Sequence, residues 1–210
     1  MNNPTKLILT LKSAATFGRG DGVAGLVDRE IEHDPHGFPF LRGRTLKGLL
    51  AESAENIVYA LKNAKEWRQA KDDLFGLEGV KAEKSGILHV GDAQLPSALR
   101  SAALASGWTP QEMLHSLTGI RRQTSINEHG APDHATLRSM RVLLPKVRLE
   151  AALSFDRDLS PIEEQLLAAA TLDLRHAGTG RNRGRGWLQA ELESEKTTQD
   201  LFKAFGEALK

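Results

Sequence analysis

Residues 6–12, Lys-Leu-Ile-Leu-Thr-Leu-Lys, alternate apolar and polar positions over a few residues, the period of a half-buried strand. Residues 27–32, Val-Asp-Arg-Glu-Ile-Glu, predict a short polar strand, ended by the turn sequence Asp34-Pro35-His36-Gly37. A helix is expected to begin near Thr45, where Leu46, Leu49, Leu50, Ala54, Ile57, Val58 and Leu61 follow the i, i+3/i+4 rhythm of one buried face. Residues 62–85 are charged and weakly patterned, with Leu74-Phe75-Gly76 as a helix end. A strand at 87–92 and short helices at 96–104 and 110–117 come next. From 120 to 144 the chain is polar and basic around Gly130-Ala131-Pro132, which predicts a long exposed hairpin. Residues 148–155 read as a strand, and 161–174 as a helix opened by Ser160 as N-cap with Pro161 at its first position. Residues 187–192 alternate as another strand, and 198–210 form a short amphipathic helix.

Strand runs separated by helices point to an α+β sheet with helices on one face. A ferredoxin-like core with an inserted middle fits the order. The 210 residues are read as a single domain, 1–210, with an insertion at 62–118, a hairpin at 119–147 and a glycine- and arginine-rich loop at 175–187. No internal repeat, low-complexity tract or linker interrupts it. Composition narrows the function by exclusion. With no cysteine, disulfides, thiolate catalysis and cysteine-based zinc sites are ruled out. No apolar run approaches the roughly 20 residues that span a bilayer, so no membrane partner is expected. The start, Met1-Asn2-Asn3-Pro4, lacks a signal-peptide pattern, and a cytoplasmic location is expected.

Lys and Arg number 28 against 27 for Asp and Glu, a net charge of +1 that taken alone argues against a nucleic-acid binder. The distribution says otherwise. Residues 175–187 hold four arginines and no acid. Residues 119–148 hold Arg121, Arg122, Arg138, Arg141, Lys146 and Arg148 against Glu128 and Asp133. The acids Glu150, Asp156, Asp158, Glu163, Glu164 and Asp173 gather on one strand–helix unit, expected to face solvent or a neighbouring subunit. Basic loops apart from an acidic helix are the footprint of a polyanion partner. Arginine adds a planar fork that pairs two phosphate oxygens and stacks on bases. In residues 178–186, Gly-Thr-Gly-Arg-Asn-Arg-Gly-Arg-Gly, glycines let the backbone approach a phosphate chain. The spacing is not the dinucleotide fingerprint, a strand rather than a helix follows, and no Gly-Lys-Ser/Thr triplet signals a P-loop.

The chain resembles the RAMP superfamily of CRISPR effector proteins, specifically the backbone subunits of type III interference complexes. The residues that carry the resemblance are Gly25-Leu26-Val27-Asp28 with Asp34-Pro35, and the run from Gly37 to Gly48. Arg122-Gln123-Thr124-Ser125-Ile126 and the run from Gly178 to Gly186 complete it. The resemblance implies an RRM-like core and a thumb-like hairpin that intercalates into a guide–target duplex. It also implies guide crRNA, target RNA and other effector subunits as partners, copies of this chain among them. Similar subunits carry a target-cutting aspartate at the position of Asp28. A carboxylate there could help bind a divalent ion or orient a 2′-hydroxyl for attack. No tightly bound cofactor is expected, and Mg²⁺ or Mn²⁺ is expected if target RNA is cut. Asp28 could instead make a turn or pair with Arg29 or Arg19, and Glu30, Glu32 and Asp34 lie close by.

Expected RNA contacts are Arg19, Arg42, Arg44 and Lys47 around the first loop and helix. Arg121, Arg122, Thr124, Ser125, Arg138 and Arg141 are expected contacts in the hairpin, and Arg175, Arg181, Arg183 and Arg185 in the glycine loop. Ile126, Leu137 and Met140 are either wedges between bases or core residues. His33 and His36 could form a metal pair, or supply the general base of a metal-independent crRNA-processing endonuclease. His89 and His115 read as core or surface residues, and His134 and His176 lie beside the basic loops. A structural or capping subunit that does not cut is the remaining alternative.

Overall fold

β1 (Lys6–Leu11) buries Leu7, Leu9 and Leu11 and turns Lys6, Ile8 and Thr10 to the opposite face, as its period of two requires. The computed structural model describes residues 3–62, 64–77, 86–125, 128, 130–131 and 136–209. β1 is flanked antiparallel by β5 (Arg148–Phe155), with Leu9 opposite Leu149, and by β6 (Leu188–Glu193), with Leu9 opposite Ala190. The buried parity is therefore continuous across three strands. β2 (Leu88–Val90) pairs with the outer edge of β5 and completes an antiparallel sheet in the order β2-β5-β1-β6.

Four helices add to that core. α1 (Gly43–Ala60) buries Leu46, Leu50, Ala54 and Val58, and starts two residues before the Thr45 expected from its periodicity. α5 (Pro161–Asp173) packs against α1, against α2 (Lys65–Phe75) and against α6 (Thr198–Ala208). The β5 and α5 boundaries fall where the pattern set them, within a residue. α2 was not evident in the charged stretch beyond its end at Leu74-Phe75, because only Trp67, Ala70, Lys71 and Leu74 are buried. Residues 62–118 thus hold α2, the edge strand β2, α3 (Ser97–Ala105) and α4 (Pro110–Leu117), so this stretch contributes to the main sheet. No described helix is long and apolar enough to cross a membrane.

β3 (Thr118–Gln123) and β4 (Arg138–Leu143) form a separate two-stranded sheet, the base of the expected hairpin. Ile126, Pro132, Asp133 and His134 lie outside the described residues. Residues 27–32 are not the polar strand that their composition suggests. They make isolated bridges, Ile31 to Gly18 and Arg29 to Met140. Val27, Glu30, Ile31 and Glu32 are all buried, because this segment is enclosed by the hairpin on one side and Phe17 on the other.

The acidic strand–helix unit also differs from expectation. Glu163 is buried, and it accepts the Ser160 N–H (2.7 Å) and hydroxyl (2.8 Å) at the start of α5. It also receives both terminal nitrogens of Arg157, at 2.8 and 2.6 Å. Burial would raise its carboxyl, but the Arg157 and Ser160 donors bring it below its ordinary value. Glu164 is buried too, so α5 presents no acidic face to solvent at these two positions.

Candidate nucleic-acid interface

The glycine- and arginine-rich loop is shaped by backbone that only glycine accommodates. Gly178 (φ 90) and Gly186 (φ 63) lie in the left-handed region, and a Cβ on either would run into main chain. It would stand 2.6 Å from the Thr16 carbonyl oxygen at Gly178 and 1.8 Å from that of Ala177 at Gly186. Between them Arg181–Arg183 make one tight helical turn bounded by Gly180 and Gly184, both left-handed. That turn spreads the three arginines differently. Arg181 makes a two-pronged pair with Glu52 of α1, at 2.8 and 2.9 Å. Arg185 bonds Gln123 of β3 and reaches the Met140 sulfur. Arg183 is exposed and has no ion pair among the described residues. Burial, with the nearby Arg121 and Arg183 guanidinium groups, pushes the Arg185 guanidinium down from its ordinary value. Three positive groups converge here.

Asp28 faces this loop across a cleft of ≈ 470 Å³ whose lining includes Arg138, Ser139, Thr179 and Arg183. Its Oδ2 accepts the Ser139 N–H (2.6 Å) and hydroxyl (3.1 Å), and Oδ1 takes neither bond. Those Ser139 donors, backbone first, hold the exposed carboxyl below the usual aspartate range, with Arg138 adding in the same direction. The Asp28 and Arg29 N–H groups both donate to the Ser139 carbonyl (3.0 and 3.3 Å), and the Arg141 N–H donates to that of Arg29 (3.0 Å). Asp28 is therefore stitched to β4. It pairs with neither Arg29 nor Arg19; Arg19 binds Asp21 instead (2.5 Å).

The clefts run together. The Asp28 cleft shares Gly178, Thr179 and Arg181 with one of ≈ 400 Å³ lined by Arg42, Thr45 and Gly48 at the start of α1. On its other side it shares Asp28 and Ser139 with one of ≈ 530 Å³ under Leu26, Arg122 and Leu137. The result is a track from the hairpin base, past Asp28, over the glycine loop to the N-terminus of α1. Among expected contacts, Arg42, Arg122, Arg138, Arg181, Arg183 and Arg185 line it. Arg44 and Arg121 are exposed beside it, and Arg175 lines a polar hollow of ≈ 280 Å³ that shares Arg181. Arg42 is held by the buried Glu32 at 2.7 Å. The hairpin residue Leu137 is exposed, whereas Met140 is buried.

Several of the expected residues have partners within the fold. Arg141 is no surface contact: it is buried in an ion pair with Glu30 (2.8 Å), which ties β4 to the segment after Asp28. Lys47 is half-buried and donates to the Leu88 carbonyl of β2 (2.7 Å), because its position on α1 faces the sheet edge. Thr124 and Ser125 meet Thr136 (2.9 and 3.1 Å) and tie the two hairpin arms to each other. His33 bonds the Asp34 carbonyl (3.1 Å), and neither it nor His36 lines the Asp28 cleft. Asp34 is taken by Arg100 at 2.7 Å. His89 is exposed and paired with Asp156 (2.8 Å), while His115 is exposed and His176 half-exposed. Ser139, Gln123 and Glu52 were missed. A lone serine, glutamine or glutamate carries no local signal, and each gains its role from a partner far along the chain.

The family profile described as RAMP superfamily matches residues 8–189. Among curated proteins none matches the chain. A chain of the cryo-EM structure of the type III-B Cmr-beta bound to cognate target RNA superimposes with a TM-score of 0.65 at 12% identity. The match covers 96% of this chain and 99% of that one. A chain of the type III-B Cmr-beta structure in the apo state gives 0.62 at 11% identity, covering 91% and 97%. At such identity the likeness is one of fold.

Proposed function

The chain belongs to the RAMP superfamily, and from that premise we propose that it is a guide crRNA-binding backbone subunit of a type III-like CRISPR ribonucleoprotein, with Asp28-dependent cleavage of the paired target RNA. The core element order β1-α1-β2-β5-α5-β6, with β1 and β5 central, supports a ferredoxin-like core for that role. The observation that carries the reading is the row of adjoining clefts, with a glycine-shaped arginine loop on one wall and Asp28 on the other. RNA in that track would have phosphates against Arg183 and Arg185 and a ribose within reach of Asp28. The partners would be guide and target RNA and further effector subunits, copies of this chain included.

The Ser139 donors fix what Asp28 can do. They lower its carboxyl below the ordinary aspartate range, which makes it a weaker proton acceptor and a good electrostatic anchor. Among the described residues no three His, Asp or Glu side chains converge to hold a metal ion. A hard cation bound through one carboxylate and substrate phosphates fits this donor set, as Mg²⁺ is often held. Such an ion would supply charge neutralisation at the scissile phosphate. The chain's own part is to hold the Asp28 carboxylate at a fixed place on β4.

Asp28→Ala tests the assignment. The variant is expected to assemble with guide RNA and sibling subunits as the parent does, and to lose cleavage of a complementary labelled RNA. Persistent cutting by the assembled variant would place the activity elsewhere.

A further inference from the structure

The sheet face opposite the core carries a surface separate from the clefts. One end of it is acidic: Lys6 lies 3.4 Å from both Glu150 and Glu193, and Glu191 stands on β6 between Gln189 and Glu193. The other end is different. Trp187 is 51% exposed at the root of the glycine loop. Its backbone is clamped: the N–H donates to the Ser13 hydroxyl (3.0 Å), and the carbonyl accepts the Lys12 (2.7 Å) and Ser13 (3.1 Å) N–H groups. The indole is thus an open platform on a pinned backbone. Lys12 is exposed beside it, and Arg148 projects from β5 opposite Thr10.

Lys146 adds the second observation. It occupies the second central position of the Pro145-Lys146 turn with φ 71, left-handed backbone that glycine adopts freely and lysine does not. Among the described residues no side-chain hydrogen bond or ion pair repays the choice of lysine. Its N–H donates to the Leu11 carbonyl (2.7 Å), a bond that glycine would make equally well. Neither Lys12 nor Lys146 has an ion pair among the described residues, and Arg148 gives one nitrogen to Glu150 (3.2 Å).

We propose that this corner binds single-stranded RNA, with one base stacked on Trp187 and neighbouring phosphates on Lys12 and Lys146. The proposal rests on the RNA-binding reading and extends it to a second surface. An exposed indole among unpaired ammonium groups matches a base and its phosphates, since stacking and phosphate pairing are the two general means of holding a single strand. The acidic end bounds the site, so the strand crosses the corner and does not run the length of the sheet.

The test uses the full chain and a short labelled oligouridylate, read by fluorescence anisotropy. Trp187→Ala should weaken binding about tenfold, whereas Trp187→Phe, which keeps a stacking face, should stay within about twofold. Lys146→Gly should melt at a higher temperature and yet bind about threefold more weakly, so its loss of affinity cannot be loss of folding. Arg181, Arg183 and Arg185 changed together to Ala report the cleft independently. If that triple variant weakens binding while the Trp187 and Lys146 variants match the parent, this proposal fails and the cleft stands. If the parent itself does not bind, both fail. If Trp187→Ala leaves affinity unchanged and abolishes self-association in sedimentation, the corner is a protein contact and the proposal is overturned.

Discussion

The three loop arginines should contribute unequally to RNA binding, and the inequality can be worked out from their partners. Each phosphate neutralised on a single strand contributes about −0.7 to the slope of log affinity against log salt. Between 50 and 200 mM salt one such contact therefore makes affinity fall about 2.5-fold more steeply. Arg183 has no competing carboxylate among the described residues, so Arg183→Ala should remove about one contact's slope. Arg181 is already met by both oxygens of Glu52, and RNA must displace that pair to use it. Arg181→Ala should change the slope less. An exposed pair of this kind contributes up to about 1 kcal/mol, so Glu52→Gln should tighten RNA binding by up to about fivefold. The assay is fluorescence anisotropy of a labelled single strand at four salt concentrations, with circular dichroism as a folding control. Equal slopes for Arg181→Ala and Arg183→Ala, or weaker binding by Glu52→Gln, would refute the reasoning.

Other variants probe the scaffold under the track. Ser139→Ala removes the donors' hydroxyl share from Asp28, so its carboxyl should rise toward the ordinary range; the acid limb of the cleavage rate should move to higher pH, with the plateau intact. An unmoved limb would show that Asp28 does not titrate in the reaction. Arg141→Ala leaves the buried Glu30 unpaired and should cost about 3–5 kcal/mol in urea unfolding, most of it regained in the double variant Glu30→Leu/Arg141→Met. Gly184→Ala meets open space and should cost about 1–2 kcal/mol for its left-handed backbone. Gly186→Ala must also push back the Ala177 carbonyl, and should cost more and lose RNA binding with it.

Patterns confined to a few neighbouring residues were legible in the sequence. The alternation of 148–155 and the Ser160-Pro161 start of α5 sit in the structure as their local chemistry requires. The separation of arginines from acids pointed to the loop that lines the track. Long-range pairing was not legible. Arg141 and Glu30 are far apart in sequence, and a basic hairpin gives no sign that one arginine turns inward to a buried acid. Residues 27–32 lack a one-sided pattern because Glu30, Ile31 and Glu32 are buried in succession, so alternation there carried no information about burial. Lys47 lies at the right height on α1, yet the rotation of that helix sends it to β2.

Asp28 hangs from Ser139 of β4, and β4 pairs along its length with β3. In the proposed reaction this makes the hairpin a ruler. A hairpin that enters a guide–target duplex would set both the entry point and the cut, because the Ser139 bonds tie Asp28 to it. Moving the exposed Leu137 relative to Asp28 would then offset the cut by a matching number of nucleotides.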